Sequence, residues 1–325
     1  MKTITILALE TAIPAAVVDP RYMFSAVNEF YKSAGNQAPF KIQIAGLTKE
    51  VKLNEGMFSI HTDVLIKDVK KTDLIIIPAI SGNINAALKA NKNFIPWIVD
   101  QYNNGAEVAS LCIGAFVLAS TGLMKGKLCS THWLFANEFR MMFPDITLVD
   151  DKVITDQNGL YSSGGATSLW NLLLYLVEKY TNRETAILAS KFFLLDISRN
   201  TQAPFTMFKG QKDHDDDVIV EVQDYIEKKF RNKISVDELS EKFGIGRRTF
   251  ERRFKKATSN TVAEYIQRVK IEAAKKQLEL SRKTVGEVMY AVGYSDTKAF
   301  RDVFKKITGM SPVDYKNKYA KAAMA

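Results

Sequence analysis

The stretch GIGRRTFERRFKKATSNTVAEYI (244–266) returns, with one extra residue early in the second copy, as GYSDTKAFRDVFKKITGMSPVDYK (293–316). Phe250, Phe254, Lys255, Lys256, Thr258 and Tyr265 recur fifty positions later as Phe300, Phe304, Lys305, Lys306, Thr308 and Tyr315. In both copies the two phenylalanines are spaced i, i+4, which sets them on one face of a helix and leaves the charged residues between them on the other. The C-terminal third is therefore expected to fold as two equivalent helical units.

Each copy follows a short amphipathic helix and a tight break. SVDELSEKFGIG (235–246) opens with Ser235 as N-cap and Glu238 three residues on, a capping box, and stops at Gly244. The second copy has Thr284, Glu287 and Gly293 in the same places. A helix, a glycine-containing turn and a second helix of about a dozen residues make the helix-turn-helix plan.

The outward faces decide what such units do. Arg247, Arg248, Glu251 and Arg252 stand opposite Phe250 and Phe254, and Thr297, Lys298 and Arg301 stand opposite Phe300 and Phe304. They lie near helix N-termini, where a recognition helix meets base edges in the major groove. Arginine can grip guanine bidentately, whereas Lys255, Lys256, Lys305 and Lys306 are better placed for phosphates. One basic residue on a helix is ordinarily just a solvated face. Two matched units, each with a buried aromatic pair and a basic exterior, favour DNA.

The charge balance agrees. The chain has 325 residues and a formal net charge of +9, and its length suggests two domains. From Val218 to Ala325 there are 24 basic and 14 acidic residues, a net of +10, against 21 and 22 in residues 1–217. One third of the chain thus carries the whole excess, a pointer to an anionic partner for that part.

Residues 1–200 read differently. Short β-branched runs at 3–9, 40–46, 73–79, 107–112 and 160–164 alternate with helical patterns at 21–34, 93–104, 114–121, 133–143, 166–180 and 184–193. That alternation predicts a three-layer α/β domain around a mostly parallel sheet. DLIIIPA (73–79) and EVASLC (107–112) are apolar without alternation, as central strands covered on both faces should be. Periodicity is lost over 201–217, the expected linker, whose acidic cluster from Asp213 to Asp217 reads as a solvated spacer rather than a metal site. Two cysteines cannot form a disulfide framework, and no apolar run approaches the ~20 residues that span a bilayer. A reducing cytoplasm, no membrane association and no cofactor are the expectations.

AEVASLCIGAFVLASTGLMKGKLCSTHW (106–133) takes an apolar strand straight into Cys112, Ile113 and Gly114 and then into a helix. The carboxyl ends of such strands are where open α/β sheets bind ligands. The dipole of the following helix would favour a thiolate at Cys112, and His132 is the candidate partner twenty residues on. Cys112, Ile113 and His132 are the pocket candidates, while His61 and Cys129 are expected to be structural.

Two resemblances follow from these residues. Residues 218–325 resemble the DNA-binding domain of AraC/XylS-type transcriptional regulators, through Leu239 to Gly244, Arg248, Phe250, Arg252, Phe254 to Lys256, the connecting helix from Val262 to Leu280, Ala291 to Tyr294, and Phe300, Arg301, Phe304 to Lys306, Gly309, Pro312 and Tyr315. The departures are Gly246, where a capping Ser is common, and Asp302 beside Arg301. Residues 1–200 resemble PfpI/ThiJ-like domains of the class I glutamine amidotransferase superfamily, and the whole order is similar to the amidase-like regulators of the GlxA type. The carrying residues are Cys112 to Ala115, Gly122 to Lys127, Thr131 to Trp133 and Ser163 to Ala166. In peptidase-type relatives a His follows the nucleophilic Cys, but here Ile113 stands there, and neither Glu10 nor Asp19 is an assured acidic partner. The resemblance thus implies a flavodoxin-like sensor domain without a complete catalytic set, a homodimer formed through that domain, a small-molecule effector, and double-stranded promoter DNA as the partner of residues 218–325. The alternative is a thiol-dependent amidase or glyoxalase-like enzyme tethered to DNA.

Overall fold

In the computed structural model, which describes residues 1–212 and 214–320, the chain divides into two compact units, Met1–Gln202 and Ala203–Ala325. The strands of the first unit are β1 (Lys2–Leu7), β2 (Phe40–Gly46), β3 (Glu50–Leu53), β4 (Phe58–His61), β5 (Val64–Leu65), β6 (Leu74–Ile77), β7 (Glu107–Ser110), β8 (Leu128–Cys129), β9 (Thr147–Leu148), β10 (Ile154–Gln157) and β11 (Leu160–Ser163). Its helices are α1 (Pro14–Ser33), α2 (Ile84–Ala90), α3 (Ile95–Asn103), α4 (Ala115–Ser120), α5 (Ala136–Met142), α6 (Ser168–Tyr180) and α7 (Arg183–Phe192).

The main sheet has seven strands in the order β10-β11-β7-β6-β1-β2-β5, parallel except where β10 meets β11. Apolar patterning explains its centre, because all four residues of β6 are fully buried. In the β6–β7 register Ile77 pairs with Ser110, so the chain leaves the carboxyl edge of the sheet at Leu111 and turns through Cys112. α1, α6 and α7 pack on one another, while α2 contacts α4, and α4 packs on β6 and β7. This is the flavodoxin-like α/β architecture expected from the sequence.

Several details differ from the sequence reading. α1 begins at Pro14 and contains Pro20, which the 21–34 reading excluded; Ala16, Val17 and Pro20 are buried, and that burial offsets the lost backbone bond. The β3–β4 hairpin was not expected, and it is bent by Asn54, Glu55 and Gly56, all with positive φ. α2 was also missed, being one short run capped by the Asn83 side chain on Ala86 N.

The second unit is all-helical: α8 (Asp217–Lys229), α9 (Val236–Lys242), α10 (Arg247–Thr258), α11 (Val262–Leu280), α12 (Val285–Ala291), α13 (Thr297–Thr308) and α14 (Pro312–Tyr319). Two cores share α11. Leu239, Phe250, Phe254 and Tyr265 belong to the first, and Val288, Phe300, Phe304 and Tyr315 to the second. The repeat extends to single bonds. Thr258 Oγ1 donates to Phe254 O and Thr308 Oγ1 to Phe304 O, both at 2.8 Å. Thr284 and Glu287 form a full capping box, whereas at Ser235 only the half in which its hydroxyl accepts from Glu238 N is present, a correction to the sequence reading.

Candidate functional site

The exterior of the second unit presents two matching faces. On α10 Phe250 and Phe254 are fully buried, while Arg247, Arg248, Glu251, Arg252, Lys255 and Lys256 are exposed. On α13 Phe300 and Phe304 are buried, while Thr297, Lys298, Arg301, Asp302, Lys305 and Lys306 are exposed. Among the described residues no ion pair engages Arg248, Arg252, Lys255, Lys298, Arg301 or Lys305. Arg247 differs, since its Nη1 reaches both carboxylate oxygens of Asp237 at 2.8 and 3.0 Å and its Nε lies 3.7 Å from Glu251. The two helices also start differently, as Gly246 offers α10 no side-chain cap whereas Asp296 accepts from Ala299 N at 2.6 Å on α13.

In the acidic cluster leading into α8, Asp215 and Asp217 are exposed while Asp216 is engaged. Asp216 caps α8 by accepting from Ile219 N and holds Arg253 through two bonds, and His214 bonds Gln223 at 3.0 Å; Asp213 lies outside the described residues. No group of three metal-ligating side chains comes together among the described residues.

In the first unit the Cys112 elbow sits at the end of β7. Cys112 has φ 54, a left-handed conformation that costs an ordinary side chain about 1–3 kcal/mol. Gly114 makes the turn feasible, because a Cβ there would lie 2.5 Å from Pro78 O and 2.9 Å from Ile77 O. The elbow is held by Ser163 Oγ, which accepts from Cys112 N at 3.1 Å, and by Thr131 Oγ1, which donates to Cys112 O at 3.1 Å. Thr131 precedes His132, so the strand-end turn and the His132 turn are stitched together. The Cys112 and Ile113 side chains are buried at 4% and 6% exposure.

The electrostatics run against the thiolate expected from the sequence. Burial pushes the Cys112 thiol up to about 11, against a lowering backbone hydrogen bond from Ile113, and that of Cys129 to about 12. His132 Nδ1 accepts from Leu134 N at 3.1 Å, and half-burial holds the imidazole below its ordinary range. Its basic nitrogen is thus already occupied, and no hydrogen bond joins it to Cys112 among the described residues. Glu10 is exposed and Asp19 lies in α1, its carboxyl raised by burial. His61 is exposed on β4, not a core residue, while Cys129 is fully buried.

The sequence reading named Gly165 only within the run from Ser163 to Ala166 and passed over Gln202. Gly165 faces the His132 ring, whose Cδ2 lies 3.6 Å from the position its Cβ would take, and Gln202 Oε1 accepts from Gly165 N at 2.9 Å. The consecutive Gly164 and Gly165 were a visible signal of close approach; what approaches them was not. A separate cleft of about 320 Å³ lined by Lys152, Asn171, Tyr175 and Arg183 includes none of the three pocket candidates.

Known proteins place both units. Residues 5–179 match the DJ-1/PfpI family and residues 239–318 the Helix-turn-helix domain. The transcriptional regulator GbdR of Pseudomonas aeruginosa is 23% identical over 270 residues, covering 82% of this chain and 71% of that protein. The regulator CdhR of the same species is 23% identical over 263 residues, covering 81% and 77%. Among solved structures, an AraC family transcriptional regulator from Pseudomonas putida superposes with a TM-score of 0.50 at 15% identity, covering 59% of this chain and all of that one. No helix among the described residues is long and apolar enough to cross a membrane. The chain belongs to the DJ-1/PfpI family and carries an AraC-type helix-turn-helix domain after it, the make-up of an AraC-family transcriptional regulator.

Proposed function

We propose that the regulator grips promoter DNA through α10 and α13, which enter successive major-groove faces about 34 Å apart. The observation that carries this is the repetition of one exposed basic face over one buried phenylalanine pair, with Arg247 the member of that face held by acidic neighbours. Arg248, Arg252 and Arg301, with Thr297, Lys298 and Glu251, read bases, and Lys255, Lys256 and Lys305 hold phosphates. Arg247 is oriented by Asp237 and has to exchange that partner to reach DNA.

Residues 1–200 act as the sensor, binding a small effector beside Cys112, Ile113 and His132, and the regulator works as a cytoplasmic homodimer joined through this domain. A protonated thiol and an imidazole whose Nδ1 is engaged suit a binding pocket better than a nucleophile and base. The strained Cys112 backbone favours the second reading, a thiol-dependent amidase or glyoxalase-like enzyme, since a strained strand-to-helix turn is the geometry on which such enzymes carry their nucleophile. Turnover of simple amides or α-oxoaldehydes that disappears in Cys112→Ala would establish that reading instead.

Binding-site selection tests the DNA assignment. Arg248→Ala and Arg301→Ala each relax base preference at a separate half-site, by about 1–3 kcal/mol of discrimination, whereas Lys255→Ala weakens binding to all duplexes alike. Unchanged preference in both arginine variants would overturn it.

A further inference from the structure

Gln202 is the last residue of the first unit and is 1% exposed. Its Nε2 donates to Thr131 O at 2.9 Å and to Lys152 O at 3.2 Å, and its Oε1 accepts from Gly165 N at 2.9 Å. Its backbone N donates to Asp151 O, to which Thr201 Oγ1 also donates at 2.9 Å. The amide lies so close to the chain that a Cβ at Gly164 would stand 2.6–2.8 Å from its three terminal atoms. It is therefore wedged between the residue preceding His132 and the glycine turn that faces the His132 ring, one hydrogen bond from the Cys112 elbow.

The chain just beyond is equally fixed within the second unit. Thr206 O accepts from Lys275 Nζ at 2.5 Å, and Phe208 N donates to Glu272 Oε2 at 3.1 Å, with Lys275 only 4% exposed. Lys275 and Glu272 both lie on α11, the helix shared by the two DNA-binding cores. Between Gln202 and Thr206 stand only Ala203, Pro204 and Phe205, a span of at most about 14 Å between the two anchored Cα atoms. A tether so short transmits displacement that a long flexible linker would absorb.

We propose that Gln202 is a positioning residue of the effector pocket and the latch through which pocket occupancy acts on the interdomain segment. The proposal rests on the reading of the Cys112 and His132 region as that pocket. A group entering beside Cys112 pushes the Thr131–His132 and Gly164–Gly165 turns apart, breaks the three hydrogen bonds of the Gln202 side-chain amide and so loosens the hold on residues 201–205. Linkage makes this reciprocal, so freeing Gln202 loosens the pocket.

The test uses the full chain and iodoacetamide as the pocket probe, with mass spectrometry locating the adduct. Alkylation of Cys112 should raise hydrogen exchange in residues 201–209 at least tenfold. Gln202→Ala should show that exchange without alkylation, gain little more on alkylation, and react at Cys112 at least fivefold faster. Gln202→Met, which keeps length and loses the bonds, should behave likewise if the alanine variant fails to fold. Wild-type exchange in 201–209 that ignores alkylation, or Cys112 reactivity that ignores Gln202, would overturn the latch. Operator binding on selected duplexes, screened against a metabolite library, separates the two ideas. Effector-responsive binding with unresponsive exchange sinks the latch alone, whereas responsive exchange with no responsive metabolite sinks the sensor reading.

Discussion

Arg253 grips Asp216 with both arms, Nε to Oδ2 at 2.9 Å and Nη2 to Oδ1 at 2.6 Å, and so ties α10 to the cap of α8. Hydrogen bonding to Arg253 holds the Asp216 carboxyl below its ordinary range. A depressed carboxyl stabilises the fold above its unfolded pKa and loses that contribution as pH falls through the folded value. Asp216→Ala should therefore cost about 1 kcal/mol at neutral pH from the cap alone, and the gap to wild type should close below about pH 4. All three tryptophans, Trp97, Trp133 and Trp170, lie in the first unit. The loss should appear in far-ultraviolet circular dichroism and leave the tryptophan transition in place.

Phe250 and Phe300 offer a paired test of the two cores. Each is fully buried in its own cluster, so truncation to Ala should cost about 3–5 kcal/mol. Phe300→Ala should abolish the second half-site in binding-site selection while the first remains readable. Phe250→Ala should do the reverse. Loss of both half-sites in either variant would show that the units fold as one block through α11.

How far the sequence could be read depended on the range of the interactions. The helical units were legible because Phe250, Phe254, Thr258 and Tyr265 repeat within a span of sixteen residues and because their local bonds repeat with them. Central strands were legible from uninterrupted apolar runs such as Leu74–Ile77. The β3–β4 hairpin was not, because Glu50 and Lys52 alternate with Val51 and Leu53 in a run of only four residues. At the pocket, Cys112 and His132 could be named, but Gln202 bonds Thr131 across 71 positions from a stretch without periodicity. The role of Asp216 within the acidic run was hidden for the same reason, since its partner is Arg253, 37 positions away.

The thiols should respond to pH according to their burial. With Cys112 raised to about 11, its alkylation should be slow at neutral pH and rise about tenfold per pH unit up to that value. Cys129, raised to about 12 and fully buried, should lag behind it. Peptide mapping of iodoacetamide adducts across pH 7 to 10 checks both. A plateau for Cys112 near pH 7 would mean a thiolate and would revive the enzyme reading.

The turn glycines of the two repeats are equivalent in sequence and unequal in surroundings, which makes each a control for the other. Gly244 has φ +64 and nothing within 4 Å of the place a Cβ would take, whereas Gly293 has φ +80 and a Cβ there would lie 2.2 Å from Arg231 O and 3.0 Å from Lys270 Nζ. Gly244→Ala should cost only the left-handed backbone strain, about 1–2 kcal/mol. Gly293→Ala adds a collision with a backbone carbonyl that cannot swing aside, and it disturbs Lys270, whose Nζ donates to Gly293 O at 3.1 Å. The second substitution should therefore be the more destabilising by at least about 1 kcal/mol and should displace α13 from its half-site, whereas Gly244→Ala keeps both half-sites. Equal losses in thermal denaturation of the two variants would mean that the chain around Arg231 yields, and that backbone strain alone sets the cost at both turns.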